Sequence, residues 1–325
     1  MNRTITLAAS AAATLFAAPA LAQEECGEIS ITEMNWASAS VVTQVANFIL
    51  TQGYGCDVSV IPSSTNPALT SVAETGEPDV LTELWTNSAP AYARLRDEGK
   101  LVKLADVLSD GGVEGWWVPN YLVEENPELA TIEGVLANPE LLGGRLHQCP
   151  DGWACKSVNA SLAEAAGLEE AGFEIFVHGS GETLATSIAS AYESQDPWLG
   201  YYWSPTSVLG QYPMTMVDMG GTDMEAHECN AQEDCADPQL SNYPSSEVLT
   251  AVTADFVERE PAASEFLSKM SFTNAQMNEV LAWMEENAAS SEEGAVYFLT
   301  SFQDNWTGWL SDGARENLQS VLASQ

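Results

Sequence analysis

Polar and apolar positions alternate through Ile29-Ser30-Ile31, within the stretch from Cys26 to Met34, which predicts a strand. From Ala37 to Thr51 the apolar residues fall on a helical period instead, and that stretch ends at Gly53. Alternation returns from Cys56 to Pro62, completing a strand, helix, strand unit of the parallel kind. A second helix is predicted from Asn66 to Thr75, stopping at Gly76, and a third strand from Asp79 to Leu84 that ends at Trp85. Asp110-Gly111-Gly112 reads as a flexible break and a candidate hinge. Beyond it, Gly115 to Tyr121, Phe173 to His178 and Leu199 to Trp203 read as strands, with helices over Val158 to Ala166 and Glu182 to Ser194. Gly179-Ser180-Gly181-Glu182-Thr183 caps the latter helix, with Ser180 or Thr183 at the N-cap. An acidic loop from Asp218 to Tyr243 follows. A strand at Val248 to Val252 then returns to the first half, with helices over Ala262 to Met270, Asn274 to Asn287 and Gly294 to Leu310.

The pattern is α/β, and the mature length exceeds what a single core comfortably serves. Two lobes are expected, residues 23–112 with 244–325 as the first and 113–243 as the second, with a cleft between them.

Residues 1–22 read as a signal peptide, with Arg3 in the charged region, an apolar run from Ile5 to Ala18 and Ala20-Leu21-Ala22 at the cleavage site. The run is too short for a membrane span, and nothing downstream supplies the roughly 18 to 20 apolar residues that one needs. No Cys stands at the cleavage site, which argues against a lipid anchor. Export to the periplasm is the expectation. Without Arg3, 9 basic residues face 47 acidic ones, a net charge near −38. That balance excludes nucleic acid, whose phosphates need clustered Lys and Arg, and disfavours anionic membranes. It reads first as a solvated surface that keeps an exported protein soluble.

Six Cys in an oxidising compartment imply three disulfides. Cys149 and Cys155 flank a Pro-Asp-Gly turn, Cys229 and Cys235 sit in the acidic loop, and each pair is close enough in sequence to close a small ring. Cys26 and Cys56 are left to pair with each other, each at the start of a predicted strand. Zinc is the weaker reading, because the three His are scattered.

Six of the 10 Trp sit in short, polar, turn-rich phrases where core aromatics are unusual: Trp36, Trp85, Trp116, Trp117, Trp153 and Trp203. Indoles on loop tips, with almost no Lys or Arg beside them, suit a small cation held through its methyl groups. Trp36 and Trp85 follow predicted strands, at the rim where open α/β sheets bind ligands. A disulfide from Cys149 to Cys155 presents Trp153 on a rigid loop, and the helix after it aims the backbone N–H groups of Ala154 and Cys155 outward as an anion site.

Cys-Pro-Asp-Gly-Trp-Ala-Cys followed by Val158-Asn159, the earlier Leu84-Trp85-Thr86 and the later Tyr201-Tyr202-Trp203-Ser204-Pro205 resemble the glycine betaine/proline-type substrate-binding proteins of ABC transporters. The likeness runs in order along essentially the whole mature chain. It implies a periplasmic-binding-protein fold of two α/β lobes, joined by a hinge, that close on a quaternary ammonium compound and dock on a permease. It also implies an aromatic box, at Trp85, Trp153 and Trp203. In the betaine binders a His shortly after the first box tryptophan helps hold the carboxylate, whereas Thr86, Asn87, Ser88 and Ala89 follow Trp85 here. Trp36, Trp116 and Trp117 are additional, with Glu114 beside the latter two. A Glu repels a carboxylate but suits a ligand of little negative charge, and the combination resembles the trimethylamine N-oxide binders of the same superfamily. Glu114 is either ionised against the methylated nitrogen or protonated and donating to the oxygen. Alternation in a strand sends one of Trp116 and Trp117 to the cleft and the other inward.

Glu233, Asp234 and Asp237, around the Cys229 to Cys235 ring, read first as a solvated, disulfide-stapled loop; structural calcium is the second reading, since oxygen-rich loops can hold it although the EF-hand spacing is absent. No other cofactor is expected. His147, His178 and His227 lie far apart in sequence and no catalytic motif accompanies them, so an exported enzyme acting on a quaternary amine is the weakest reading. The favoured one is a monomeric binding protein for trimethylamine N-oxide or a related methylated amine, ahead of glycine betaine or choline, without nucleic-acid binding or membrane insertion.

Overall fold

The structure is a computed structural model and describes residues 26–322. The leader expected over 1–22 lies outside the described residues. Among the described residues nine strands form one sheet: β1 (Glu28–Met34), β2 (Asp57–Ser63), β3 (Val80–Trp85), β4 (Leu101–Pro119), β5 (Arg145–Gln148), β6 (Glu174–Val177), β7 (Gly200–Ser204), β8 (Met214–Met216) and β9 (Ser246–Thr253). Their order is β2-β1-β3-β9-β4-β7-β5-β6, and β8 pairs with β4. β1 runs parallel to β2 and β3, as the strand, helix, strand reading requires. β9 returns antiparallel between β3 and β4, so the chain does come back to its first half.

The break expected at Asp110-Gly111-Gly112 is instead the middle of a continuous 19-residue strand, β4. Its first part, to Gly112, pairs with β9, and from Val113 onward it pairs with β7 and β8. The glycines mark a register shift between Leu108 and Gly112 rather than an interruption, a usual place for Gly inside a strand. β4 thus carries backbone from one half of the sheet to the other and sets the cleft between them.

Local chemistry explains the elements around that cleft. The Ala37–Phe48 helix widens into a π-helical segment over Ile49–Tyr54 and ends at left-handed Gly55, two residues past the predicted stop. The Thr65–Thr75 helix stops at Gly76, as predicted. The Gly181–Ser194 helix opens with a capping box in which Ser180 Oγ accepts from the Thr183 backbone N–H. The region read as an acidic loop contains a helix, Met224–Asn230, because Asp223 caps it by accepting from the N–H groups of Glu225 and Ala226. The disulfides are Cys26–Cys56, Cys149–Cys155 and Cys229–Cys235, the expected pairs. No helix among the described residues is long and apolar enough to cross a membrane.

Gly112 has a second role. A Cβ there would lie 2.0 Å from Cζ3 of Trp85, so the indole at the end of β3 depends on the missing side chain. Gly112→Ala is expected to force that ring aside, at an overpacking cost of about 1–3 kcal/mol. A thermal melt should show a Tm several degrees lower. An unchanged Tm would mean that the ring has room to move.

Candidate ligand-binding site

Trp36 follows β1, Trp85 ends β3, Trp153 stands on the Cys149–Cys155 loop and Trp203 lies in β7. All four line one small cavity of ≈ 30 Å³, together with Thr65, Ser88, Glu114, Ala154, Cys155 and Tyr201. The ring of Trp153 stands at 70° to that of Trp36 and 79° to that of Trp203, with centroids 5.3 and 5.0 Å apart, as adjacent walls of a box do. Each indole is only 4–7 % exposed, so the faces are dry. Gly181 leaves the space that the far edge of Trp153 occupies, since a Cβ there would sit 3.1 Å from its Cη2.

The nitrogen ends of three rings are tied down. Trp36 Nε1 donates to Glu83 Oε1 at 2.6 Å and Trp85 Nε1 to the same oxygen at 3.3 Å. Trp153 Nε1 donates to Asn35 Oδ1 at 2.7 Å, which joins the disulfide loop to the turn after β1 across the cleft. Because a buried indole N–H needs an acceptor, these bonds fix which way each ring faces.

Antiparallel register explains the other wall. Glu114 lies opposite Trp203 and Trp116 opposite Tyr201, so all four side chains share one face of the β4–β7 pair. Tyr201 donates to Glu114 Oε1 at 2.7 Å, while Glu114 Oε2 is buried without a hydrogen-bond partner. Ser88 Oγ, also on the cavity, is likewise buried and unpaired. Burial pushes the Glu114 carboxyl up from 4.5 to about 7, against a smaller lowering from the Tyr201 hydrogen bond.

Of the expected residues, Trp36, Trp85, Glu114, Trp153, Ala154, Cys155 and Trp203 come together. Trp116 and Trp117 do not line the cavity. Trp116 is on the correct face but one strand pair further along, fully buried, with its Nε1 donating to Asn159 Oδ1 at 2.6 Å. Trp117 points to the opposite face, half-buried, and donates to the Tyr202 carbonyl. Glu83, Ser88, Tyr201 and Asn35 escaped the sequence reading. Glu83 had a visible signal, a lone acid in the apolar run Val80-Leu81-Thr82-Glu83-Leu84-Trp85, and Tyr201 stands two residues before Trp203 on the same strand face.

Two histidines far apart in sequence meet in space, because β5 and β6 are parallel neighbours. His147 Nδ1 lies 2.8 Å from His178 Nε2, and the His147 ring stacks on Trp198. Burial, the neighbouring His178 and Arg145 hold His147 down to about 3, and the pair lies off the cavity. Among the described residues no group of three or more His, Cys, Asp or Glu side chains is arranged to hold a metal, and Glu233, Asp234 and Asp237 do not gather into one. A larger open groove, ≈ 870 Å³, shares Trp153 but is lined by polar and acidic side chains, and its one lysine, Lys156, pairs with Asp151.

Residues 27–301 match the substrate-binding domain of ABC-type glycine betaine transport systems. The chain belongs to that family. Members are transport proteins rather than enzymes, and this one serves an ABC transporter for quaternary ammonium compounds. Among curated relatives, a trimethylamine N-oxide-binding protein of Pelagibacter ubique (strain HTCC1062) is 23% identical over 293 residues, covering 86% of this chain and 89% of its own. Among solved structures, an ABC-transporter choline-binding protein in complex with choline superposes with a TM-score of 0.74 at 20% identity, over 91% of this chain and 98% of the other. A lactococcal protein in its closed conformation with glycine betaine gives 0.70 at 18% identity, over 88% and 100%. The fold is the two-lobed periplasmic-binding-protein fold of this family. The disulfides fit the oxidising compartment in which such domains typically work.

For this binding protein the burial of Glu114 has an electrostatic consequence. A carboxyl whose folded-state pKa is raised stabilises the fold less as pH rises from its unfolded value toward its folded one. Glu114 spans 4.5 to about 7, so Glu114→Gln is expected to gain stability relative to wild type between pH 5 and pH 8. The gain is on the order of 3 kcal/mol, from about 1.4 kcal/mol per pH unit. Melts of the ligand-free proteins test this, and parallel pH profiles would show that Glu114 is not held as the site geometry requires.

Proposed function

We propose that the protein binds trimethylamine N-oxide, or a close methylated-amine relative, in the box formed by Trp36, Trp85, Trp153 and Trp203, and delivers it to its permease. The observation that carries this reading is Glu114: a fully buried carboxyl with one oxygen unpaired, on a cavity walled by indoles and lined by no Lys, Arg or His. The methylated nitrogen supplies a positive charge where no Lys, Arg or His lines the cavity, and the indole faces receive its methyl groups. In this arrangement Glu114 is ionised when ligand is bound. A desolvated cation-π contact contributes up to about 2 kcal/mol, so four walls supply several before ordering costs. Micromolar affinity corresponds to about −8 kcal/mol and is within reach of preformed walls.

The single oxygen of an N-oxide needs donors, not a cation. Ser88 Oγ is unpaired on the cavity, and the Cys155–Ala166 helix begins there with the backbone of Ala154 and Cys155. A betaine carboxylate would meet Glu114 instead of a basic group. The name of the Pelagibacter relative supports the same ligand. In this reading closure brings residues 113–243 against residues 26–112 and 244–322, with β4 and the segment before β9 as the crossings, and the Asn35–Trp153 hydrogen bond supports it by joining the two sides.

Titration calorimetry with trimethylamine N-oxide, glycine betaine and choline tests the assignment. The N-oxide is expected to bind at micromolar affinity and at least tenfold tighter than betaine. Trp153→Ala should weaken it by more than tenfold with the fold intact, and Glu114→Gln should alter the ranking of the three ligands. Preferential binding of betaine or choline, or an unchanged Kd in Trp153→Ala, would overturn the reading.

A further inference from the structure

The box has a feature that lies outside its own lining. Glu83 sits in β3, with no exposed surface, behind the walls rather than among them. Its Oε1 accepts three hydrogen bonds, from Trp36 Nε1 at 2.6 Å, Ser38 Oγ at 2.7 Å and Trp85 Nε1 at 3.3 Å. We propose that Glu83 is the positioning residue of the box, a buried carboxylate that sets the planes of two walls and enriches their π faces without touching the ligand. This inference rests on the methylated-amine reading above.

Two costs converge on this one residue. Its backbone is left-handed, φ 50°, a conformation that a non-glycine residue adopts only when its surroundings impose it. It lies where the pairing of β3 with β9 slips between Leu81 and Leu84, and bulges of this kind re-aim a side chain. The second cost is burial of a carboxyl with no cationic partner, which lifts it from 4.5 to about 7. An apolar residue at this place would avoid the second cost and still carry the first. What the acid supplies in return is an acceptor shared by two indoles that arrive from different strand ends, Trp36 after β1 and Trp85 at the end of β3.

The physical effect has two parts. Geometrically, anchoring each Nε1 leaves the ring no freedom to tip into the cavity, so less order is lost on binding. Electronically, once the pH lies above the raised value of about 7 and Glu83 is ionised, an N–H that donates to it leaves its ring more electron-rich, and a richer face attracts a cation more strongly. A neutral acceptor of the same shape retains the first part and loses the second. An apolar side chain loses both.

Wild type, Glu83→Gln and Glu83→Met are titrated with trimethylamine N-oxide and with choline. Glu83→Gln is expected to weaken both probes by roughly threefold and Glu83→Met by more than tenfold, with the ratio between probes unchanged, because the residue acts on the walls and not on the ligand. A folded Glu83→Met with a Kd within twofold of wild type overturns the proposal, as does a loss confined to Tm. Should Glu83→Met not fold, Glu83→Gln combined with Trp36→Phe decides the matter. Losses that are not additive support action through that indole, and additive losses contradict it. If wild type binds neither probe, the ligand assignment fails separately. Glu83 is then judged by the indole N–H resonances of Trp36 and Trp85, which Glu83→Gln must shift in the free protein; unshifted resonances overturn the inference.

Discussion

A buried indole N–H must find an acceptor, and in this protein that requirement turns three tryptophans from core filling into walls of one cavity, with Trp203 the fourth. Trp36 and Trp85 share Glu83, and Trp153 reaches across the cleft to Asn35. Trp153, anchored at its nitrogen end, meets Trp36 and Trp203 at steep angles instead of stacking on them. Much of the surrounding chain makes room for this. Gly112 is bare so that Trp85 fits, Gly181 is bare so that Trp153 fits, and β4 runs unbroken through both halves of the sheet so that Glu114 faces Trp203.

The same geometry accounts for how the site treats charge. Two carboxyls, Glu83 and Glu114, are fully buried within one residue or one hydrogen bond of the box, and neither has a cation beside it. Apart from Asp79 and Glu260, which are buried beside Arg259 and the Gly27 N–H, the other described acidic residues keep surface exposure, where charge is screened and contributes little to specificity. Each leaves its Oε2 without a partner, and they differ in what Oε1 does and where they sit: Glu83 lies behind the cavity and accepts from Trp36, Trp85 and Ser38, whereas Glu114 lines the cavity and accepts from Tyr201.

Much of this was legible in the sequence because it is written locally. Turn-borne tryptophans, a six-residue Cys spacing, glycine stops and the change of period from strand to helix each depend on a few neighbouring residues. The first three strands, the three disulfides and seven of the lining residues follow from such signals. What was missed depends on partners distant in the chain. Trp116 resembled a wall until its register with Tyr201 and its bond to Asn159 placed it deeper. Gly111 and Gly112 looked like a break, but a strand continues through glycine when both flanks have neighbours to pair with. Glu83 was passed over because one acid in an apolar run has meaning only once the two indoles it serves are known to lie beside it.

The central claim is that indoles from both halves of the sheet close around one methylated nitrogen. A crystal structure with trimethylamine N-oxide bound tests it most directly. The account predicts the nitrogen within about 6 Å of the ring centroids of Trp36, Trp85, Trp153 and Trp203, with the Glu114 carboxylate beside it. A ligand resting in the outer groove, or faced by only one of these rings, would contradict it.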